Sequence, residues 1–564
     1  MMKPVIDAVA DTLIECGVRH TFGIPGGGAL FLYAALASRQ DRITSILARQ
    51  EGAAACMADA YGRITGTPAA VIAQGAWAAS NAAFGILEAY LAGTPMLILT
   101  DTSDYAGLLQ HGPWQNGTGD YGAFDLPNIM RSMTKYTTVA HSPDELIHGI
   151  RLAVKHAVSG RPGPACVCAR MGIFGLQVDE AALKPALYPF AGHVAATKPR
   201  MGDEDAALIS HMLANAASPV IIAGHGVHNA QAHDELRALA ELLGAPVATS
   251  YMGKSAIEET HALSVGTMGG IGQKVANEMI RRADVLFAVG TGLSPENTMM
   301  LSPGLIDPAR QRVVQVDIDP RNAGWTYPVA AGAVADAKDA LSKIAAALKR
   351  EKTTIDAAGR VTALAALKAE LGFFSCDEFS SDEAPLAPER IVKEVCDAVS
   401  DDTVICLDAG NNRQWFAKHF RSKRAGQVLA PGGAGGVGWG PPAAIGAHLA
   451  RGGGKTACIC GDGGMIMMLH CLEAARQYEL PVTFIVLNNA SLGNIRDFQP
   501  PENKFCTEYP EPDIAAYARA AGCAAAKVRN AADLSPALRD ALAAGGPSLV
   551  EVITKREAHF KLMK

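Results

Sequence analysis

Short β-rich apolar runs alternate with longer amphipathic stretches along this chain, and the alternation passes through three blocks. The first block contains Thr44-Ser45-Ile46-Leu47, Ala70-Val71-Ile72-Ala73 and Met96-Leu97-Ile98-Leu99. The second contains Pro219-Val220-Ile221-Ile222-Ala223, Val285-Leu286-Phe287-Ala288-Val289 and Val313-Val314-Gln315-Val316-Asp317. The third contains Val404-Ile405-Cys406-Leu407, Thr456-Ala457-Cys458-Ile459-Cys460 and Val482-Thr483-Phe484-Ile485-Val486-Leu487. Strands buried on both faces read as continuous apolar runs of this kind. Their alternation with helical stretches predicts an α/β chain of three doubly wound parallel-sheet domains. The boundaries expected are 1–171, 201–348 and 388–564. Residues 172–200, rich in Pro and Ala, read as a linker, and 349–387 as a helical connector. The first and third blocks share a layout without obvious identity of sequence.

Composition narrows the class. The chain has 564 residues, 49% of them hydrophobic and 19% charged, which allows several sizeable cores. Its formal net charge of -6 offers no basic excess for a nucleic acid. Twelve cysteines occur without CxxC pairs, several inside apolar runs. This points to a reducing compartment rather than a disulfide framework or zinc site. Asp7, Asp11 and Glu15 interrupt the first residues as in a helix, not a signal peptide. No uncharged apolar run reaches the ~18 residues of a membrane span. A cytoplasmic protein without a membrane or nucleic-acid partner is expected.

The candidate chemistry lies in the third block. Gly461-Asp462-Gly463-Gly464 follows one apolar run, and Asn488-Asn489 ends the next, with a helix-like crossover between. Asp462 and Asn489 therefore sit at the C-terminal ends of two parallel strands, where open α/β sheets bind ligands. A carboxylate and an amide oxygen suit a hard cation such as Mg2+, and glycines let backbone approach phosphate. A tight glycine turn and an asparagine-rich loop would also account for these residues. The pattern resembles the diphosphate-anchoring motif of thiamine diphosphate enzymes. That resemblance implies Asp462, Asn489 and the carbonyl of Ser491 as metal ligands, with Gly461, Gly463 and Gly464 in the cofactor turn.

Other stretches extend the resemblance over nearly the whole chain, in the same order of pyrimidine-binding, middle Rossmann-like and diphosphate-binding domains. Gly432-Gly433-Ala434-Gly435-Gly436-Val437-Gly438-Trp439-Gly440-Pro441-Pro442-Ala443 is similar to a stretch of acetohydroxyacid (acetolactate) synthase catalytic subunits. There Val437 would be the apolar wedge beneath the bent cofactor, and Gly435 would offer its carbonyl to the amino group. Glu51, in Arg49-Gln50-Glu51-Gly52-Ala53-Ala54, falls on the family's catalytic glutamate, which exchanges a proton with the cofactor pyrimidine. An acidic residue in a first helical turn is also favoured by the helix dipole. Gly26, Gly27 and Gly28, in Phe22-Gly23-Ile24-Pro25-Gly26-Gly27-Gly28, resemble an active-site turn that approaches cofactor and substrate. Asp408-Ala409-Gly410-Asn411-Asn412 stands where relatives often carry Gly-Gln-His, so Asn411 and Asn412 would face the diphosphate, or serve as a helix cap. The family places its active sites between subunits, which implies a homodimer or homotetramer.

Several residues depart from the synthase pattern. Gly122, in Tyr121-Gly122-Ala123, replaces an active-site glutamine, and Trp77 occupies the family's Gly-Pro-Gly turn. Phe498 stands where the synthases have Trp, and Ile495 where simple decarboxylases place an acid. Thr291-Gly292-Leu293-Ser294-Pro295-Glu296 lacks the arginine of the FAD-binding stretch, so no FAD is expected. His111, in Gln110-His111-Gly112-Pro113, is a candidate acid-base group or an ordinary loop histidine. Trp114, Gln115 and Asn494 are further candidates for the substrate pocket. The resemblance implies a thiamine diphosphate- and Mg2+-dependent carboligase, decarboxylase or lyase acting on a 2-oxo acid or related carbonyl compound. An acetolactate-synthase-like activity comes first. A lyase, decarboxylase or C–C hydrolase on a non-pyruvate substrate, such as a 2-hydroxyacyl-CoA or cyclic dione, is the alternative. A non-catalytic binding or regulatory subunit is the reading from another class.

Overall fold

The computed structural model describes residues 2–105, 111, 114–351, 353–558, 560, 562 and 563. Two compact units emerge: Met1–Thr197 with Pro431–Gly453 and Met468–Tyr478, and Lys198–Ala430 with Gly454–Met467 and Glu479–Lys564.

The first unit holds a parallel six-stranded sheet ordered Thr44–Leu47, His20–Gly23, Ala70–Gln74, Met96–Asp101, Pro164–Ala169, Tyr136–Ala140. Its inner strands are buried throughout, as their unbroken apolar runs require. One helical face of the core comes from Val5–Glu15 and Pro143–Val158, through residues such as Leu13, Ile147 and Val154. The stretch expected as a linker carries structure of its own. Gln177–Asp179 pairs antiparallel with Met2–Pro4, and Val178, Leu183 and Phe190 enter the core.

The second unit holds two more parallel six-stranded sheets. One runs Ser264–Thr267, Val247–Thr249, Pro219–Ala223, Val285–Val289, Arg312–Asp317, Ala331–Val334. Its order reverses between Pro219–Ala223 and Val285–Val289, the dinucleotide-fold arrangement. The other runs Val428–Leu429, Val404–Leu407, Thr456–Gly461, Val482–Asn488, Ser548–Ile553, Ala524–Val528. Numbered along the chain, this sheet and that of the first unit share one order, 2-1-3-4-6-5. The α/β class with three doubly wound parallel sheets is thus borne out. None of the twelve cysteines forms a disulfide, and no helix among the described residues is long and apolar enough to cross a membrane.

Candidate active site

In the second unit, the strand order of the last sheet reverses between Val404–Leu407 and Thr456–Gly461. Chain leaving these strands and the neighbouring Val482–Asn488 carries the predicted metal and diphosphate residues. Asp462 follows its strand directly and is buried. Its Oδ1 accepts from the amide of Gly463 at 2.9 Å. Burial pushes its carboxyl up to about 6, against the pull of the Gly463, Ala490 and Ser491 amides and the nearby Tyr509 hydroxyl. Neither Oδ2 of Asp462 nor that hydroxyl closes a hydrogen bond of ordinary geometry.

The asparagine pair at 488–489 divides its work. Asn488 is buried; its amide donates to Glu551 at 2.6 Å and to the Pro512 carbonyl at 3.2 Å, tying the strand end to its surroundings. Asn489 Oδ1 accepts from the Ser491 amide at 3.2 Å. A Cβ at Gly493 would lie 2.8 Å from Asn489 Nδ2 and 3.2 Å from Asn411 Nδ2, so the two amides flank that glycine. Asn411 donates to Asp497 at 2.8 Å, which leaves its Oδ1 buried and unbonded. The NH2 of Asn412 is already spent on the carbonyls of Asp408 and Ile459, at 2.9 and 3.2 Å. Asn412 therefore joins two strand ends. Gly461, Gly463 and Gly464 surround Asp462, and a Cβ at 463 would sit 3.0 Å from Leu492.

Asn411 Oδ1, Asp462 Oδ2, Ser491 Oγ and the Tyr509 hydroxyl are buried oxygens that close no hydrogen bond of ordinary geometry, with Asp462 and Tyr509 near enough to act on each other's acidity. Each such group costs about 1–3 kcal/mol when left unpaired, and more when charged. Hard oxygens around a buried carboxylate fit Mg2+, and the residues present fit a metal-bound diphosphate.

In the first unit, Gln50 caps the helix Glu51–Thr65 by accepting from the Ala53 amide at 2.9 Å. The helix then runs through Ala-rich sequence of high propensity to a left-handed Gly66. Glu51 is its first residue and only 7% exposed. Asn81 Nδ2 donates to Glu51 Oε2 at 2.9 Å. Gly26, Gly27 and Gly28 follow the strand His20–Gly23. The Gly28 amide donates to buried Asp101 at 3.1 Å, and Asp101 also accepts from Ser103. Burial raises the Asp101 carboxyl, against those hydrogen bonds. Gln115 accepts from Gln74 at 2.8 Å, beside Gly26.

The glycine-rich stretch at 432–439 also belongs to this unit. The amides of Gly432 and Gly433 both donate to Glu88 Oε1 at 3.0 Å. Those of Ala434 and Gly435 donate to Oε2, at 2.7 and 2.8 Å. Arg63 Nη2 bridges Glu88 at 2.7 Å and Asp59 at 2.8 Å, and Trp439 Nε1 donates to Asp59 at 2.8 Å. Beyond Trp439, the helix Gly440–Ala450 packs on Glu51–Thr65 so closely that a Cβ at Gly446 would lie 2.1 Å from the Met57 carbonyl oxygen. Val437, between these anchors, is 37% exposed.

The remaining pocket candidates are scattered. Trp77 lies half-exposed on the short helix Gly75–Ala79. Gly122 is exposed with open space around it. Phe498 and Ile495 are exposed on Gly493–Phe498, where Asn494 accepts from Gln414 at 2.9 Å. His111 is exposed; Gln110, Gly112 and Pro113 lie outside the described residues. Trp114 is exposed and stacks on Tyr105 at 5.5 Å.

Sequence reasoning missed Asn81, Tyr509, Glu88 and the Asp59–Arg63 pair. The last three carried a signal. Asp59 and Arg63 stand i,i+4 in the mostly apolar body of the helix Glu51–Thr65, and Glu88 is the sole charge in Ala83–Ala92. Charges so placed are rarely buried unless paired.

Family comparisons define the class of protein. Residues 4–120, 207–344 and 408–552 match the N-terminal TPP-binding, central and C-terminal TPP-binding domains of thiamine pyrophosphate enzymes. The chain belongs to the thiamine pyrophosphate (thiamine diphosphate) enzyme family, in its acetolactate-synthase-like branch. It is 31% identical to the acetolactate synthase large subunit of Buchnera aphidicola, over 87% of this chain and 83% of that one. It is 29% identical to a probable acetolactate synthase large subunit of Methanocaldococcus jannaschii, over 97% and 91% respectively. The corresponding subunit of Corynebacterium glutamicum is 29% identical, over 95% and 84%. The protein is a thiamine diphosphate-dependent enzyme.

Proposed function

We propose that the enzyme uses thiamine diphosphate with Mg2+ to make or break a carbon–carbon bond beside the carbonyl of a 2-oxo acid or related compound. The observation that carries this reading is the group of buried, unbonded oxygens on Asn411, Asp462, Ser491 and Tyr509. Asp462, Asn489 and the Ser491 carbonyl would hold Mg2+, with Asn411 facing the diphosphate. Gly435 and Val437 would support the aminopyrimidine. When bound, the cofactor supplies a carbon nucleophile and an electron sink.

Glu51 does the acid-base work in this reading. Asn81 fixes one carboxyl oxygen, and the other would hold a proton at a ring nitrogen. Such a positioned group contributes about 10²–10⁴-fold to rate. Gly26, Gly27 and Gly28 line the substrate side of the same unit. The enzyme is further proposed to be cytoplasmic, free of FAD and a homodimer or homotetramer.

A second reading concerns the substrate. Trp77 and Phe498 offer exposed apolar surface, and Gly122 offers no side chain where relatives carry an amide. These residues favour a lyase, decarboxylase or C–C hydrolase on a non-pyruvate substrate. A screen of 2-oxo acids for CO2 release, with and without an acceptor aldehyde, separates the two. Acetoin assays on pyruvate are expected to show little turnover. Turnover of roughly 1–1000 per second would instead establish acetolactate synthesis. Flavin absorbance in stoichiometric amount would overturn the expectation of no FAD.

A further inference from the structure

We propose that Glu88 is a positioning residue that sets the shape of the glycine-rich loop before any cofactor arrives. This rests on the reading of that loop as the cofactor's support. Consecutive amides from Gly432 to Gly435 converge on its two oxygens, each oxygen taking two. A carboxylate is the protein side chain suited to this, because both its oxygens only accept. The side chains of Glu88 and Arg63 are each 2% exposed and that of Asp59 is fully buried.

The ionised form is secured locally. Burial opposes it, but the Arg63 guanidinium and the amides of Gly433 and Gly435 outweigh burial and hold the Glu88 carboxyl below the usual range. The same Arg63 reaches Asp59, which accepts from Trp439, and its guanidinium lies 4.8 Å from the centre of the Trp439 ring. One buried ion network therefore clamps the loop at both ends. Gly436, Val437 and Gly438 lie between the clamps, and a Cβ at Gly436 would lie 2.2 Å from the Phe84 ring. The span that would carry the wedge is thus held between the clamps, the first of which joins Glu88 to Gly432, 344 residues further along the chain.

Glu88→Gln is the sharpest test, since it keeps shape while turning one acceptor into a donor that confronts two amides. Hydrogen exchange measured by mass spectrometry on the cofactor-free full chain reads the clamp alone. Exchange across 432–435 is expected to quicken at least about tenfold, with peptides from 456–488 unchanged. If loop exchange is unaltered, the proposal is overturned. In a second measurement, bound thiamine diphosphate should exchange its C2 proton about tenfold or more slowly in the variant. Equal rates in variant and wild type also overturn the proposal. If the wild-type chain binds no thiamine diphosphate, it is the cofactor reading that fails, and the exchange result still decides the clamp. Should Glu88→Gln not fold, Gly433→Ala displaces the loop from the other side, because its Cβ would meet the Glu88 carbonyl oxygen at 2.6 Å. The same quickening is expected there, and its absence would count against the clamp.

Discussion

The first and last sheets of this chain share a strand order yet finish their strand ends in opposite ways. At the ends of the first sheet, most polar groups are closed against one another: Gly28 and Ser103 on Asp101, Gln74 on Gln115, Asn81 on Glu51, with the Thr100 hydroxyl as an exception. At the ends of the last sheet, oxygens of Asn411, Asp462, Ser491 and Tyr509 are left buried without hydrogen bonds. In the proposed reading, the closed network orients a single carboxyl oxygen for proton exchange. An open cluster of oxygens suits a cation and the phosphates it carries. One topology would thus support the two proposed chemistries, because function resides in the side chains placed at the strand ends.

Removing the carboxylate from the open end should break the comparison most severely. Asp462→Ala is expected to weaken Mg2+-dependent thiamine diphosphate binding at least ~1000-fold, about 4 kcal/mol for a buried charged ligand. Titration calorimetry checks this, and unchanged affinity would remove Asp462 from the metal site. The melting temperature of the cofactor-free variant should not fall, since an incompletely paired buried carboxylate has been removed.

At the closed end, Glu51→Gln should retain thiamine diphosphate affinity but exchange the cofactor's C2 proton about 100-fold or more slowly. Rates equal to wild type by NMR would take Glu51 out of the mechanism.

Acidity sharpens the contrast next. Burial raises the Asp462 carboxyl to about 6 in the folded, metal-free protein. A raised carboxyl means the folded chain holds that proton more tightly than the unfolded chain. Its ionisation therefore costs stability above about pH 6, and that cost is relieved as pH falls toward the unfolded value. Mg2+ needs the ionised form, so its affinity should fall roughly tenfold per unit below about pH 6. Asp462→Asn should bind weakly with a flat profile. Glu88, held below the usual range, should contribute nothing to this transition.

The smallest effect is expected at Asn81. Asn81→Ala frees Glu51 Oε2 without removing the carboxyl, and loss of one charge-assisted hydrogen bond is worth about 1.5–3 kcal/mol at most. A slowing of C2 exchange by about 5- to 30-fold is expected. A Glu51→Gln, Asn81→Ala double variant should show little beyond Glu51→Gln alone, because both act through the same carboxyl.

Much of the last sheet's site was legible in order along the chain. An apolar run ending in a glycine-flanked acid, followed one crossover later by a run ending in amides, places Asp462 and Asn489 at strand ends by local pattern alone. The division of work within Asn488-Asn489 was not legible. Successive strand residues point to opposite faces, and only packing decides which face meets Glu551 and which meets the loop at Gly493. The same limit applies to Asn412, whose amide could have been free until the ends of two strands came within 3.2 Å of it.

By itself, the sequence determined the α/β class, the three sheets, the family and the strand-end positions of the acid and amides. These depend on periodicity and on short spacings, which report burial and backbone geometry over a few neighbouring residues. Tertiary structure alone decided the partner of Glu51, the unbonded oxygens around Asp462, and the clamp from Glu88 to residues far along the chain. Hydrogen-bond satisfaction is a property of which surfaces meet, and a buried group's partner is set by packing between elements rather than by its place in either one.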